Sequence, residues 1–266
     1  QLGMKNIFLV TLLMALIGCQ EKKDPFIHPA SLEGNYIEWL GENRIANELA
    51  LTGMYHFMNA EQEKAFTYFE EALRYDPSMF APHVCLAEMS ADGSEKQKYH
   101  IEQAKKNVDD NNITSKKFVS ILDAEPDGYW GYFDSSKALE VWKEMHELEP
   151  KGNFIKAFYA YNIKDLDESI KVLEKFANQA KEEGERYGHL LNTLGYKYMA
   201  KGDMNSASSY FNAYIKEYED GYNPYDSMGE FWLNKGDTLT AKSYYEKAIE
   251  KYPFARNARG VLSQID

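Results

Sequence analysis

Cysteine is scarce: Cys19 and Cys85 are the two in 266 residues. That excludes a disulfide framework and a cysteine-built zinc site. Positive charge is also short, 30 Lys and Arg against 42 Asp and Glu, and no basic run opposes the formal charge of −12. An acidic surface repels phosphate backbones, so nucleic-acid binding is not expected. Proline numbers only 8 beside 20 tyrosines. Such a balance suits helices rich in aromatic contacts, not a disordered chain. No Gly-rich phosphate loop, His-Glu-x-x-His or Gly-x-Ser-x-Gly occurs, and the 6 histidines are scattered. Nothing therefore supplies a nucleophile, an oxyanion site or a metal set, and neither an enzyme nor a cofactor is expected.

Long apolar runs are missing too, with one exception at Ile7–Ile17 (IFLVTLLMALI). It follows Lys5 and is shorter than the ~20 residues a spanning helix needs, which fits a secretory leader. The leader ends Leu16-Ile17-Gly18-Cys19, which resembles the lipobox of bacterial lipoproteins. That resemblance implies cleavage before Cys19 and lipidation of its thiol, hence a membrane anchor without a spanning helix. Gln20 after the cysteine resembles the signal of lipoproteins sent to the outer membrane, facing the periplasm. Cys85, set between Val84 and Leu86, reads as a small buried hydrophobe.

What the chain has in abundance is repetition. Gly188–Gly221 and Tyr222–Ala255 superimpose at a 34-residue offset, bringing Gly195 onto Gly229, Tyr198 onto Trp232, Gly202 onto Gly236, Ala207 onto Ala241 and Phe211 onto Tyr245. Periodicity of this kind marks a repeated supersecondary unit. The blocks resemble the tetratricopeptide repeat (TPR), a helix–turn–helix unit with small residues at its eighth, twentieth and twenty-seventh places. Ala46–Met79 follows the same pattern through Gly53, Ala65, Phe69, Ala72 and Pro77, with His56 at a place usually aromatic and Ala60 at the inter-helix glycine. Small side chains at the crossing let two antiparallel helices approach to about 8–10 Å.

The expected fold is all-α, a right-handed superhelical solenoid of about six TPR-like helix pairs. Its organisation reads as a leader at 1–18, a polar tether and packing segment at 19–45, and a solenoid at 46–266. Regular repeats occupy 46–79, 188–221 and 222–255, degenerate pairs lie in 80–187, and 256–266 caps the last apolar face. Asn35–Gly41 is expected to pack on the first repeat. A helix is expected from Ser135 to Leu148, capped by Asp134.

The resemblance places the ligand groove on the concave face, giving Met54, Phe57, Phe158, Tyr161, Asn192, Tyr196, Asp226 and Glu230 as candidate lining residues. It also implies a protein partner. The basic carboxylate clamp of some family members has no counterpart in the regular copies. An aromatic groove with an acidic end suits an extended or helical segment with apolar anchors and a positive charge, the alternative being a groove filled by the chain itself, for example by Asn35–Gly41. Asn223 reads as an N-cap, Pro224 as the first helical residue and Asp226 as the return partner of a capping box. A second candidate is the aromatic loop Tyr129, Trp130 and Tyr132, which suits stacking on sugar rings. Acidic residues from Asp123 to Asp134 also approximate the spacing of an EF-hand calcium loop, although Pro126, Trp130 and Asp134 depart from it. A turn with packed aromatics is the plainer reading.

Overall fold

A computed structural model describes residues 36–265. The expected leader at 1–18, Cys19 and residues 20–35 of the expected tether lie outside the described residues. Among those described there are thirteen α-helices, one 3-10 turn and no strand. The helices are α1 (Arg44–Met58), α2 (Gln62–Tyr75), α3 (Phe80–Met89), α4 (Glu95–Asn107), α5 (Ile113–Ser120), α6 (Ala138–Leu148), α7 (Asn153–Asn162), α8 (Leu166–Glu182), α9 (Gly188–Lys201), α10 (Met204–Glu217), α11 (Asn223–Asn234), α12 (Thr238–Lys251) and α13 (Arg256–Ile265). Successive helices pack as pairs and stack on the next pair, with α13 closing the series, an all-α solenoid. None of the described helices is long and apolar enough to cross a membrane.

The repeated landmarks have one physical meaning. In each regular pair a glycine of the first helix faces an aromatic ring of the second. A Cβ on Gly53 would meet Phe69 at 2.9 Å, one on Gly195 would meet Phe211 at 2.5 Å, and one on Gly229 would meet Tyr245 at 3.0 Å. These rings are fully buried, and the close approach they exploit exists only where Cβ is absent. Between helices, Gly202 and Gly236 take left-handed φ values of 82° and 80°. Asp203 and Asp237 follow and cap α10 and α12 by accepting from the N–H groups of Ser206 and Thr240. Ala60 holds the same left-handed turn at φ 57° without being glycine.

The irregular centre departs from the expected layout. α6 begins at Ala138 rather than Ser135, and Asp134 does not cap it; its carboxylate accepts from the Trp130 N–H at 3.1 Å. The 124–137 stretch instead turns inward, holding Trp130 and Phe133 against the concave side of α1 and α7. Trp130 and Phe133 lie 5.1 and 5.7 Å from Phe57, and 5.5 and 5.1 Å from Phe158. Glu88 fixes the turn by accepting from the N–H groups of Tyr132 (2.9 Å) and Phe133 (3.3 Å). Trp142 Nε1 and Asn162 Nδ2 both donate to the Phe133 carbonyl.

Residues 36–41 also run elsewhere than expected. Gly41 does exchange hydrogen bonds with Asn47 of α1. The rest of the segment crosses to the middle of the solenoid, where Tyr36 O accepts from Asn112, Glu38 N donates to Ser115, and Ile37 N donates to Glu149. Trp39 packs 5.0 Å from Phe154 and 5.7 Å from Phe118. Burying Ile37 and Trp39 there outweighs stacking on the first pair, whose outer face is small and mostly alanine.

Candidate binding cavity

The first and last parts of the solenoid touch. Glu61, fully buried in the α1–α2 turn, reaches the N-terminus of α11 and accepts from the N–H groups of Tyr222 (2.6 Å) and Asn223 (3.4 Å). A carboxylate so placed satisfies orphan amides and complements the positive end of the helix dipole. His56, Lys64 and the Tyr218 hydroxyl donate to its other oxygen at 2.8–2.9 Å. Burial alone would raise this carboxyl, but the His56 and Lys64 donors outweigh it and hold it below its usual range. Tyr214 OH adds a bond to the Asn59 carbonyl, and Glu63 takes the Tyr222 hydroxyl and Arg256.

This closure turns the concave face into a cavity of about 1100 Å³. One wall is the 127–134 loop, with Asp127, Tyr129, Trp130 and Asp134. The other comprises Asn192 and Tyr196 of α9, Asp226 and Glu230 of α11, Tyr245 of α12, and Arg256 and Asn257 of α13. Tyr161, Lys164, Glu63 and Tyr222 also line it.

The candidate residues divide between this cavity and the core. Tyr161, Asn192, Tyr196, Asp226 and Glu230 line the cavity together. Met54, Phe57 and Phe158 do not offer groove surface: all three are core residues, and Trp130 and Phe133 cover the two phenylalanines. The aromatic loop splits likewise. Tyr129 is 68% exposed, Trp130 shows only an edge to the cavity, and Tyr132 is buried outside it. A three-ring stacking platform is thereby ruled out, because two of the rings serve the core. The calcium-loop donors fail to converge, with Asp123 paired to Lys105 at 2.6 Å and Asp134 turned onto Trp130.

Local capping also gives way to tertiary contacts. α11 begins at Asn223, whose amide donates to the Tyr214 hydroxyl and Ser227 Oγ instead of capping. Asp226 closes no capping box; its Oδ2 accepts from Asn257 Nδ2 at 2.7 Å, tying α11 to α13. Its Oδ1 is buried without a hydrogen-bond partner. Burial pushes Asp226 up to about 6, opposed by the Asn257 bond and reinforced by Glu230 and Glu63. The Tyr196 hydroxyl donates to Glu230 Oε2 at 2.8 Å. Lys197 Nζ donates to the Tyr161 carbonyl, and Arg256 is neutralised by Glu63.

Two contacts went unforeseen in the sequence. Glu61 has no long-range partner visible in the pattern, and its one local sign is an Ala-Glu pair where the regular copies have Gly-Asp. His83 and His100, on different helices, meet Nδ1 to Nδ1 at 2.8 Å in the core.

Residues 227–255 match the family described as tetratricopeptide repeat. The matched stretch, most of α11 with all of α12, is similar to that repeat. No curated protein matches the chain. Among solved structures, PilW, a widely conserved type IV pilus biogenesis factor, is 14% identical, with 83% of this chain and 99% of that one covered and a TM-score of 0.43. A thermophilic TPR protein of Thermus thermophilus is 17% identical, covering 83% and 98%, with a TM-score of 0.38. The human IFIT1 dimer with m7Gppp-AAAA is 15% identical, covering 84% and 57%, with a TM-score of 0.49. No function passes to this chain from these likenesses.

Proposed function

We propose that this chain is a non-catalytic, lipid-anchored interaction scaffold of a bacterial cell envelope, taking a segment of a protein partner into the cavity between the 127–134 loop and α9, α11 and α13. The observation that carries this reading is the uneven concave face: its N-terminal half is filled by the chain's own rings, and its C-terminal half stands open. The open groove, about 1100 Å³, has room for several side chains of a bound segment. Anchoring rests on Lys5, the Ile7–Ile17 run and Leu16–Cys19. With Cys19 lipidated, the body would stand off the outer membrane on its polar tether, facing the periplasm.

Site-specific photo-crosslinking in envelope preparations tests the groove. A crosslinker at Tyr129 or Tyr196 should capture a discrete protein, whereas one at the exposed Leu239 of α12 should not. Equal capture from both faces would refute the assignment. Cys19→Ala should abolish incorporation of a fatty-acid label into the protein, and labelling that persists would refute the anchor. Glycan binding is the second reading, favoured by the exposed Tyr129 ring beside polar side chains.

A further inference from the structure

The cavity wall formed by α11 carries an unmet demand. Asp226 is 6% exposed, lines the cavity, and keeps Oδ1 buried without a hydrogen-bond partner. A buried carboxylate oxygen left without a donor costs stability, which an incoming donor would relieve. Its neighbours do not supply the missing positive charge. Arg256 is held by Glu63, Lys197 points its ammonium at the Tyr161 carbonyl, and the donors that do reach Asp226, Asn257 and the Ala258 amide at the start of α13, are neutral. Glu230, one turn along α11, is exposed to the cavity and receives only the Tyr196 hydroxyl. The exposed Tyr129 ring lines the same cavity as these carboxylates.

Resting on the segment-binding reading above, we infer that Asp226 and Glu230 form a subsite for the ammonium of a lysine side chain carried by the bound segment, with Tyr129 as the aromatic wall. Carboxylates facing an aromatic ring attract organic cations through both the ion pair and the ring quadrupole. Asn257 already donates to Oδ2, so Oδ1 is the open acceptor that Asp226 offers. An ammonium has three rotatable donors and can serve single oxygens on separate side chains. The apolar stem would lie along the rings of Tyr129 and Tyr196, as lysine stems lie along apolar surface elsewhere. The chain already places lysines over tyrosine rings, Lys197 at 5.2 Å from Tyr161 and Lys64 at 5.2 Å from Tyr222. Those lysines are engaged by their own acceptors, which leaves the Tyr129 side of the cavity for an incoming one.

Calorimetric titration of the full chain in neutral detergent tests this. The probes are an acetylated, amidated pentapeptide with leucines around one central lysine, its arginine, acetyl-lysine and glutamine counterparts, and cellohexaose. The lysine peptide should bind about tenfold or more tightly than the acetyl-lysine and glutamine forms, the worth of one charge-assisted bond, with the arginine form showing whether any cation serves. Asp226→Asn, which keeps the side chain's shape, should erase that preference. Should it also lower the melting temperature, Glu230→Gln on the exposed rim carries the test and should narrow the preference several-fold. Equal binding of the lysine and acetyl-lysine peptides, or a preference unchanged in both variants, would overturn the subsite while leaving segment binding in place. Binding of cellohexaose with no response to any peptide would overturn both readings.

Discussion

The first helix pair and the last two follow one plan yet treat their concave faces oppositely. Gly53 with Phe69, Gly195 with Phe211 and Gly229 with Tyr245 set the same helix crossing. In the first pair the groove position Phe57 is sealed beneath Trp130 and Phe133. In the last two, Asn192, Tyr196, Asp226 and Glu230 line the cavity. Packing within a pair thus fixes the frame, while the filling of the groove is decided by a non-periodic stretch that belongs to no pair.

Removing that filler should have the largest effect. Phe133 is fully buried among Phe57, Phe118, Trp142, Phe154 and Phe158. Phe133→Ala should cost roughly 3–5 kcal/mol, the usual loss for truncating a buried aromatic. Urea unfolding should show the midpoint falling steeply. An unchanged midpoint would mean that the loop is not part of the core.

The second difference lies in the inter-helix turn. Gly202-Asp203 and Gly236-Asp237 cap their own second helices, whereas Ala60-Glu61 leaves α2 uncapped by a side chain and sends Glu61 to α11. Glu61→Ala strips the acceptor from His56, Lys64, Tyr218 and the Tyr222 amide together. Removing one member of such a buried charged set costs about 3 kcal/mol or more. The loss should also let the first and last pairs separate, seen as a larger radius of gyration by small-angle scattering. A variant as compact as the parent would show that other contacts close the ring.

A third prediction concerns the other filler, residues 36–41. Glu149 is 4% exposed and accepts from the Ile37 N–H. Burial pushes its carboxyl up to about 8, partly offset by that amide. The folded value exceeds the unfolded one, so the neutral acid is favoured in the fold. Its contribution is fully present below about 4.5, declines as pH rises, and is lost above about 8. Glu149→Gln, a neutral mimic, should remove a few kcal/mol of alkaline destabilisation, read from melting temperatures between about pH 5 and pH 9. His83 and His100, both lowered to about 4 by burial, act in the opposite sense, their contribution fading as pH falls from about 6.5 toward 4. A variant with the parent's alkaline slope would place the titration elsewhere.

Much of the frame was legible because it depends on local spacing. Gly195, Ala207 and Phe211 reveal a helix crossing wherever they recur, and the same register assigned Asn192, Tyr196, Asp226 and Glu230 to the concave face. The register also put Phe57 and Phe158 there, but concavity does not mean exposure. Whether a concave residue is covered depends on where Trp130 and Phe133 go, and no period governs them. Asn223 and Asp226 misled for a related reason. Their residue types favour capping, yet a carboxylate from Glu61 and an amide from Asn257 offered better-placed partners through the fold.

The smallest effect tests the turn itself. Ala60 holds φ 57°, where the regular pairs use Gly202 and Gly236. A left-handed residue with a Cβ bears roughly 1–2 kcal/mol of strain. Glycine relieves that strain but returns about 0.4–1 kcal/mol through the greater freedom of the unfolded chain. Ala60→Gly should therefore stabilise by only about 0.5 kcal/mol, a small rise in urea midpoint at constant slope. A fall instead would mean that the Ala60 methyl, which lines the cavity beside Glu63, contributes packing that outweighs its strain. The first pair's departure from the Gly-Asp turn would then stabilise the fold at Ala60 as well as at Glu61.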